Sequence, residues 1–185
     1  MVEEPVVRRR WFALRAGAAN WLWVSLAVIV LDQWTKYLIV TSLQRNDVIP
    51  VIPGVLDIVR FHNTGAAFSF LDNAGGWQRW LFTVLGLVVS VGILFWLRTL
   101  PARGKHLLAA GLSFVLGGAL GNVIDRVQYG YVVDFISVTY HPDFMPFPAF
   151  NVADSAITVG AVLLVLENIV DWWRSRTPAH GDGVP

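Results

Sequence analysis

Four runs of the sequence, residues 21–40, 80–97, 106–124 and 152–173, are each long and apolar enough to cross a bilayer as a helix, and that property fixes the class of fold. At 1.5 Å rise per residue, about twenty residues cover roughly 30 Å of hydrocarbon. Lipid offers no hydrogen bonds to the backbone, so such runs must satisfy their own polar groups, and a helix does so within one segment. The composition agrees, with 55% hydrophobic and 15% charged residues against roughly 25% charged in a soluble domain. The expected architecture is an α-helical integral membrane protein with four transmembrane helices and a small extracytoplasmic β element. Trp77 and Trp96 flank the second run as interfacial aromatics do.

Basic residues orient the runs. Arg8, Arg9, Arg10 and Arg15 precede the first, Arg98, Arg103 and Lys105 fill the turn between the second and third, and Arg174 and Arg176 follow the fourth. By the positive-inside rule both termini are cytoplasmic, and the longer segments 41–76 and 125–150 are extracytoplasmic. Residues 1–20 read as a basic cytoplasmic leader that is retained as an anchor, because the small residues Ala16 to Ala19 precede the apolar run instead of following it. Residues 21–174 form a single four-span domain, and 175–185 a disordered cytoplasmic tail.

Several chemistries are excluded at once. A net charge of +1 gives no footprint for nucleic acid. Cysteine is absent, which removes disulfides, thiol nucleophiles and thiolate-bound metals, and the four histidines show no metal-ligand spacing. No metal and no cofactor is expected.

The exposed segments carry their own structure. In 41–76, Pro50, Pro53 and Gly54 read as breakers, and the β-favouring run from Val55 to Phe61 as a strand lying on the bilayer. His62, Asn63 and Thr64 then form a polar triplet. In the second segment Tyr131 to Val138 is strand-like, and a proline and aromatic loop follows through Pro142, Phe144, Pro146, Phe147 and Pro148.

Carboxylates and amides concentrate where apolar runs meet these segments. Asn122 precedes Asp125 by three residues, Asn151 precedes Asp154 by the same step, and Asp134 lies between them within the apolar sequence Val132, Val133, Phe135. A site without thiol, histidine cluster or metal that collects aspartates works by acid and base. Two close carboxylates share one proton, one acting as base toward water and the other as acid toward a carbonyl. The twin Asn-x-x-Asp pattern favours Asp125 with Asp154. Arg126 beside Asp125 opposes that choice, and the apolar surroundings of Asp134 suit a general acid, which favours Asp134 with Asp154 and leaves Asp125 in support. Within the first span, Asp32 and Lys36 stand four apart and can pair, either as a structural ion pair or beside the active site. A proton relay or transporter is the rival class, since intramembrane charges also mark ion pathways. A scaffold whose polar motifs only pin helices is the third.

The motifs LDQWTKY around Asp32 and Lys36, HNTGAAFS at 62–69, GNVIDRVQYGYVVDF at 121–135 and FNVADS at 150–155 occur in the order and spacing of the prokaryotic lipoprotein signal peptidases, the type II signal peptidase family, and the chain resembles that family over about residues 20–174. The resemblance implies an aspartic endopeptidase of the bacterial inner membrane that cuts prolipoproteins before the diacylglyceryl-modified cysteine. It implies a catalytic dyad of Asp134 and Asp154, with Asp32, Lys36, Asn63, Asn122, Arg126 and Asn151 at the remaining polar positions of the site. It also implies a lipid-modified prolipoprotein substrate, contact with membrane lipids, inhibition by globomycin-type cyclic peptides and a monomeric enzyme whose site faces outward. The leader is longer than is usual in the family, and the loop before Phe150 is unusually rich in proline and aromatic residues.

Overall fold

A computed structural model describes residues 20–65, 75–101, 104–139 and 148–176. The leader, the tail beyond residue 176, the end of the HNTGAAFS motif and most of the aromatic loop before Phe150 lie outside the described residues.

The four apolar runs are helices: α1 (Leu22–Ser42), α2 (Gln78–Thr99), α3 (His106–Gln128) and α4 (Val152–Arg176). All four are long and apolar enough to cross a membrane. The third runs past Ile124, where the apolar pattern ends, to Gln128. Its last turn is closed from outside itself, by Arg79 donating to the Val127 carbonyl at 2.9 Å and by Gly130 taking φ 85° just beyond it. Asp125 and Arg126 therefore sit on a helix and not in a loop.

Helix α3 is the centre of the bundle. Of its most apolar window 61% is buried, against 22% in each of the other three helices, so those three present most of their surface to lipid. Helices α1, α2 and α4 all pack on α3, and α1 also meets α4. Glycine makes this possible. A Cβ at Gly117 would lie 2.7 Å from the Val28 Cβ on α1, and one at Gly160 would lie 2.7 Å from the Gly111 carbonyl on α3. Association in lipid depends on such close packing, because apolar helices gain nothing by leaving apolar solvent. Toward one end of the bundle the contacts are hydrophobic, with Ile93, Leu97, Leu112 and Leu116 as core. At the other end they are polar.

Above that polar end lies a three-stranded antiparallel sheet of β1 (Val48–Ile52), β2 (Leu56–Asn63) and β3 (Val132–Val138), with β2 in the middle. Pro50, read from the sequence as a breaker, sits inside β1 opposite Asp57. It is tolerated because β1 is an edge strand, where a missing N–H costs no ladder bond, and the pairing is irregular between Pro50 and Ile52. The sheet is tied to the bundle by Arg60 of β2, which donates to the carbonyls of Val40 and Leu43 at the C-terminus of α1. Phe150 forms an isolated bridge with Ile136, which aligns the entry to α4 along β3.

Gly160→Ala should force α3 and α4 apart, with an overpacking cost of about 1–3 kcal/mol. Gly92→Ala has nothing within 4 Å of the new Cβ and should be neutral or slightly stabilising. Thermal unfolding of the two variants in the same detergent tests the contrast.

Candidate active site

Asp134 reaches the site from β3 and Asp154 from the first turn of α4. The bridge at Phe150 delivers Asn151 beside Asp134, and Asn151 serves two purposes. Its Oδ1 accepts the Asp154 backbone N–H at 2.9 Å, capping α4. Its amide nitrogen donates to Asp134 Oδ1 at 2.7 Å. Asn63, the last residue of β2, donates to the other oxygen of Asp134 at 3.0 Å. Asn122 on α3 donates to Asp154 Oδ1 at 2.8 Å. One amide thus holds Asp154 and two hold Asp134.

Behind this layer lies a second one. Lys36 on α1, only 3% exposed, contacts Asp32 at 2.8 Å and Asp125 at 2.9 Å, and donates to Asn122 Oδ1 at 3.0 Å. Its three protons have three acceptors. The expected pairing of Asp32 with Lys36 is present, and Asp125 pairs with Lys36 rather than with its neighbour Arg126. Asp125 also accepts from Gln33 at 2.9 Å and from the Val133 backbone N–H at 3.1 Å. Asp32 accepts the Ala153 N–H at 2.9 Å. It reaches that position because Gly121 has no side chain; a Cβ there would lie 2.7 Å from Asp32 Oδ2.

Arg126 turns the other way. Its guanidinium donates to the Gly65 carbonyl at 3.1 Å, lies over the Phe82 ring at 5.3 Å and stays within electrostatic reach of Asp154, Asp134 and Asp125. Gly65 is itself fixed by an N–H to Asn63 Oδ1 bond of 3.0 Å. All nine residues singled out in the sequence therefore belong to one connected polar cluster, drawn from α1, β2, α3, β3 and α4.

Gln33 belongs to the same cluster and was not singled out. The sequence holds a weak pointer to it, a neutral amide between Asp32 and Lys36 where an apolar residue would favour insertion. His62, beside Asn63, stacks on Tyr131 with ring centroids 3.8 Å apart. Burial, with Arg45 and Arg60 nearby, pushes its imidazole below the ordinary range.

Asp134 is 2% exposed. Burial first, and the charge of Asp154 second, push its carboxyl up from 3.8 to about 7, against the opposing hydrogen bonds from Asn63 and Asn151. An acid that keeps its proton to near-neutral pH beside a second carboxylate can give that proton up to a substrate oxygen.

Residues 24–170 match the family model described as "Signal peptidase (SPase) II". The chain belongs to the signal peptidase II family. It is 52% identical over 162 residues to a lipoprotein signal peptidase of Acinetobacter baumannii, a match covering 88% of this chain and 89% of that one. It is 48% identical over 170 residues to one of Pseudomonas aeruginosa, covering 90% and 97%. A bacterial membrane enzyme structure obtained by the in meso method superposes with TM-score 0.74 at 30% identity, over 89% of this chain and 94% of that one. The protein is therefore a peptidase of a bacterial signal peptidase family, with several membrane spans.

Two expectations follow for stability. Lys36→Met leaves Asp32 and Asp125 buried without their cation and should cost roughly 3–5 kcal/mol in thermal or denaturant unfolding. For Asp134, the folded-state value lies above the ordinary one, so the unfolded chain releases its proton first as pH rises. Its contribution is intact below about pH 4 and is lost as pH climbs through about 7. Asp134→Asn removes that loss, and the variant should gain roughly 2–4 kcal/mol on the parent between pH 4 and pH 8.

Proposed function

We propose that the protein is an aspartic endopeptidase that removes signal peptides from prolipoproteins, with Asp134 and Asp154 as the catalytic dyad and cleavage just before the diacylglyceryl-modified cysteine. The observation that carries this reading is the environment of Asp134. It is a buried carboxyl raised to about 7 partly by the charge of Asp154, and both groups are held by amides that position them without neutralising them.

In this mechanism the dyad holds one proton and the proton belongs to the pair. A water between the two carboxyls loses a proton to the anionic member as its oxygen attacks the scissile carbonyl. The protonated member, Asp134 in the resting enzyme, donates to the carbonyl oxygen. The resulting gem-diol collapses when one hydroxyl returns its proton to a carboxylate and the leaving amine takes up a proton from the dyad. Each carboxyl is thereby reset for another turnover. Arg126, close to both carboxyls and free of any carboxylate contact in hydrogen-bonding range among the described residues, can stabilise negative charge on the substrate oxygen.

Asp125 is a poor candidate for the dyad. Lys36, Gln33 and the Val133 N–H already occupy its oxygens, which supports a structural role. A transporter is also disfavoured, because Asp32, Lys36, Asp125 and Asp134 gather at one end of the bundle, the buried Glu167 at the opposite end pairs with Lys105, and the core on that side is built from Ile93, Leu97, Leu112 and Leu116.

The family and the distribution of arginine support a location in the bacterial inner membrane, with both termini in the cytoplasm and the dyad at the outer face. The acyl chains of the substrate remain in the lipid and the signal helix lies along the bundle near α3. Globomycin-type peptides are expected to inhibit by engaging the same pair of carboxyls. The reading takes a monomer as the working unit, with Asn63, Asn122 and Asn151 as the amides that hold both carboxyls.

The test is cleavage of a lipidated prolipoprotein by purified protein, with insertion and folding of each variant checked. Asp134→Asn and Asp154→Asn should each lose at least about a thousandfold in kcat. Asp125→Asn should retain measurable turnover. A dead Asp125→Asn beside an active Asp134→Asn would reassign the dyad, and a wild type that cuts nothing would sink the proposal.

A further inference from the structure

Two carboxylates of the second layer share a feature that the dyad assignment alone does not require. Asp125 accepts the backbone N–H of Val133, the residue immediately before Asp134. Asp32 accepts the backbone N–H of Ala153, the residue immediately before Asp154. Each supporting carboxylate thus grips the peptide unit that carries one dyad aspartate, one on a strand and the other at a helix N-terminus. The distance between the dyad carboxyls is then tied to the distance between Asp32 and Asp125.

Two groups on α1 span that second distance. Lys36 bridges the pair by charge. Gln33 bridges it by hydrogen bonds, its amide nitrogen donating to Asp125 Oδ1 at 2.9 Å, to Asp32 Oδ2 at 3.2 Å and to the Gly121 carbonyl at 3.2 Å. Two amide protons serve three acceptors, so one bond is shared. The ammonium neutralises charge but is a flexible point donor on a four-carbon stem, and many separations of its partners satisfy it. A planar amide with two fixed N–H directions is more exacting, and the Gly121 carbonyl anchors it to the backbone of α3.

We propose that Gln33 is a positioning residue of the peptidase reaction, which sets the separation of Asp134 and Asp154 by holding Asp32 and Asp125 at a fixed spacing. The inference rests on the dyad assigned above. It makes the second layer a gauge for the first, and places one jaw of that gauge on a helix that carries no dyad residue. Reaction geometry is sensitive to small displacements, and a shift of about 1 Å at reacting groups costs on the order of a hundredfold in rate.

The test uses the full chain, purified in detergent, with lipidated prolipoprotein as substrate, and reads kcat, KM and melting temperature together. Gln33→Met keeps the length of the side chain and removes both donors. Its kcat should fall by about tenfold to a hundredfold, with KM within about twofold of the parent. Gln33→Glu, isosteric but without a donor and with a third carboxylate facing Asp32 and Asp125, should fall at least as far. Adding Asp125→Asn to Gln33→Glu reverses donor and acceptor while keeping the net charge of the cluster, and should recover kcat at least several-fold over the single Glu variant. A purely structural glutamine predicts a lower melting temperature with kcat per folded molecule unchanged, and that result overturns the proposal, as does a change in KM alone. If Gln33→Met does not accumulate, the swap carries the test, and a folded double variant no more active than Gln33→Glu overturns it. An inactive wild type would remove the dyad reading and this inference together, whereas an active wild type with an unaffected Gln33→Met removes only the latter.

Discussion

A buried lysine between two buried aspartates holds this molecule in its functional shape. Lys36, Asp32 and Asp125 are almost wholly enclosed, in a protein whose other contacts at that depth would ordinarily be apolar. A lone charge there costs about 2.5–3.5 kcal/mol even on insertion scales, and together the three would be untenable without mutual satisfaction. The cluster closes because the backbone contributes as well: the N–H groups of Val133 and Ala153 take up carboxylate oxygens that one ammonium could not. Helix α1, strand β3 and helix α4 are consequently fastened at a single point. The penalty for separating them is that of exposing unpaired charge to lipid or protein interior, which is larger than that of losing one ordinary helix contact.

This fastening presupposes the packing below it. Carboxylate side chains are short, so the backbones that bear them must approach closely, and Gly117, Gly121 and Gly160 supply that closeness on the faces of α3 and α4. The glycines reduce helix propensity by up to about 1 kcal/mol each, a cost that a membrane helix tolerates because its backbone has no alternative partner in lipid. Packing, charge network and the layer that holds Asp134 and Asp154 form a sequence of dependencies. Gly121 leaves room for Asp32, Asp32 grips Ala153, and Ala153 fixes the turn that presents Asp154.

The spans were legible in the sequence because hydrocarbon thickness is a one-dimensional constraint and the chain obeys it locally. Asp134 was legible as a strand residue for a similar reason, since the apolar residues on both sides of it favour an extended, buried segment. The candidate cluster was visible as composition, carboxylates and amides gathered at the ends of apolar runs. What stayed open was the choice among pairings. Nothing local tells Asp125 to prefer Lys36, 89 positions earlier in the sequence, over Arg126 next to it; the helix points successive side chains about 100° apart, and only the packing of α1 on α3 decides which face meets which. Arg60 and Arg79 escaped for the same reason, because each caps the C-terminus of a helix to which it does not belong. Pro50 was misread because edge and central strands cannot be distinguished before the sheet is assembled.

Placing the carboxyls where a strand meets a helix terminus, and not midway along two helices, has a chemical consequence. Hydrolysis needs water, and a site in mid-bilayer must import it, whereas one at the polar end of the bundle borders the interface. Yet water at full bulk polarity would return Asp134 to its ordinary acidity and undo the proton sharing proposed for the pair. The β sheet resolves that conflict. Strand β3 buries Val132, Val133, Asp134 and Phe135 in succession, while Asn63 and Asn151 give the carboxyl polar contacts that carry no charge. Amides hold an acid in place with far less effect on its proton than a cation would have. The arrangement therefore keeps Lys36 one layer back, where it stabilises the frame, turns Arg126 onto the Gly65 carbonyl, and gives Asp134 and Asp154 neutral amides as their side-chain hydrogen-bond partners.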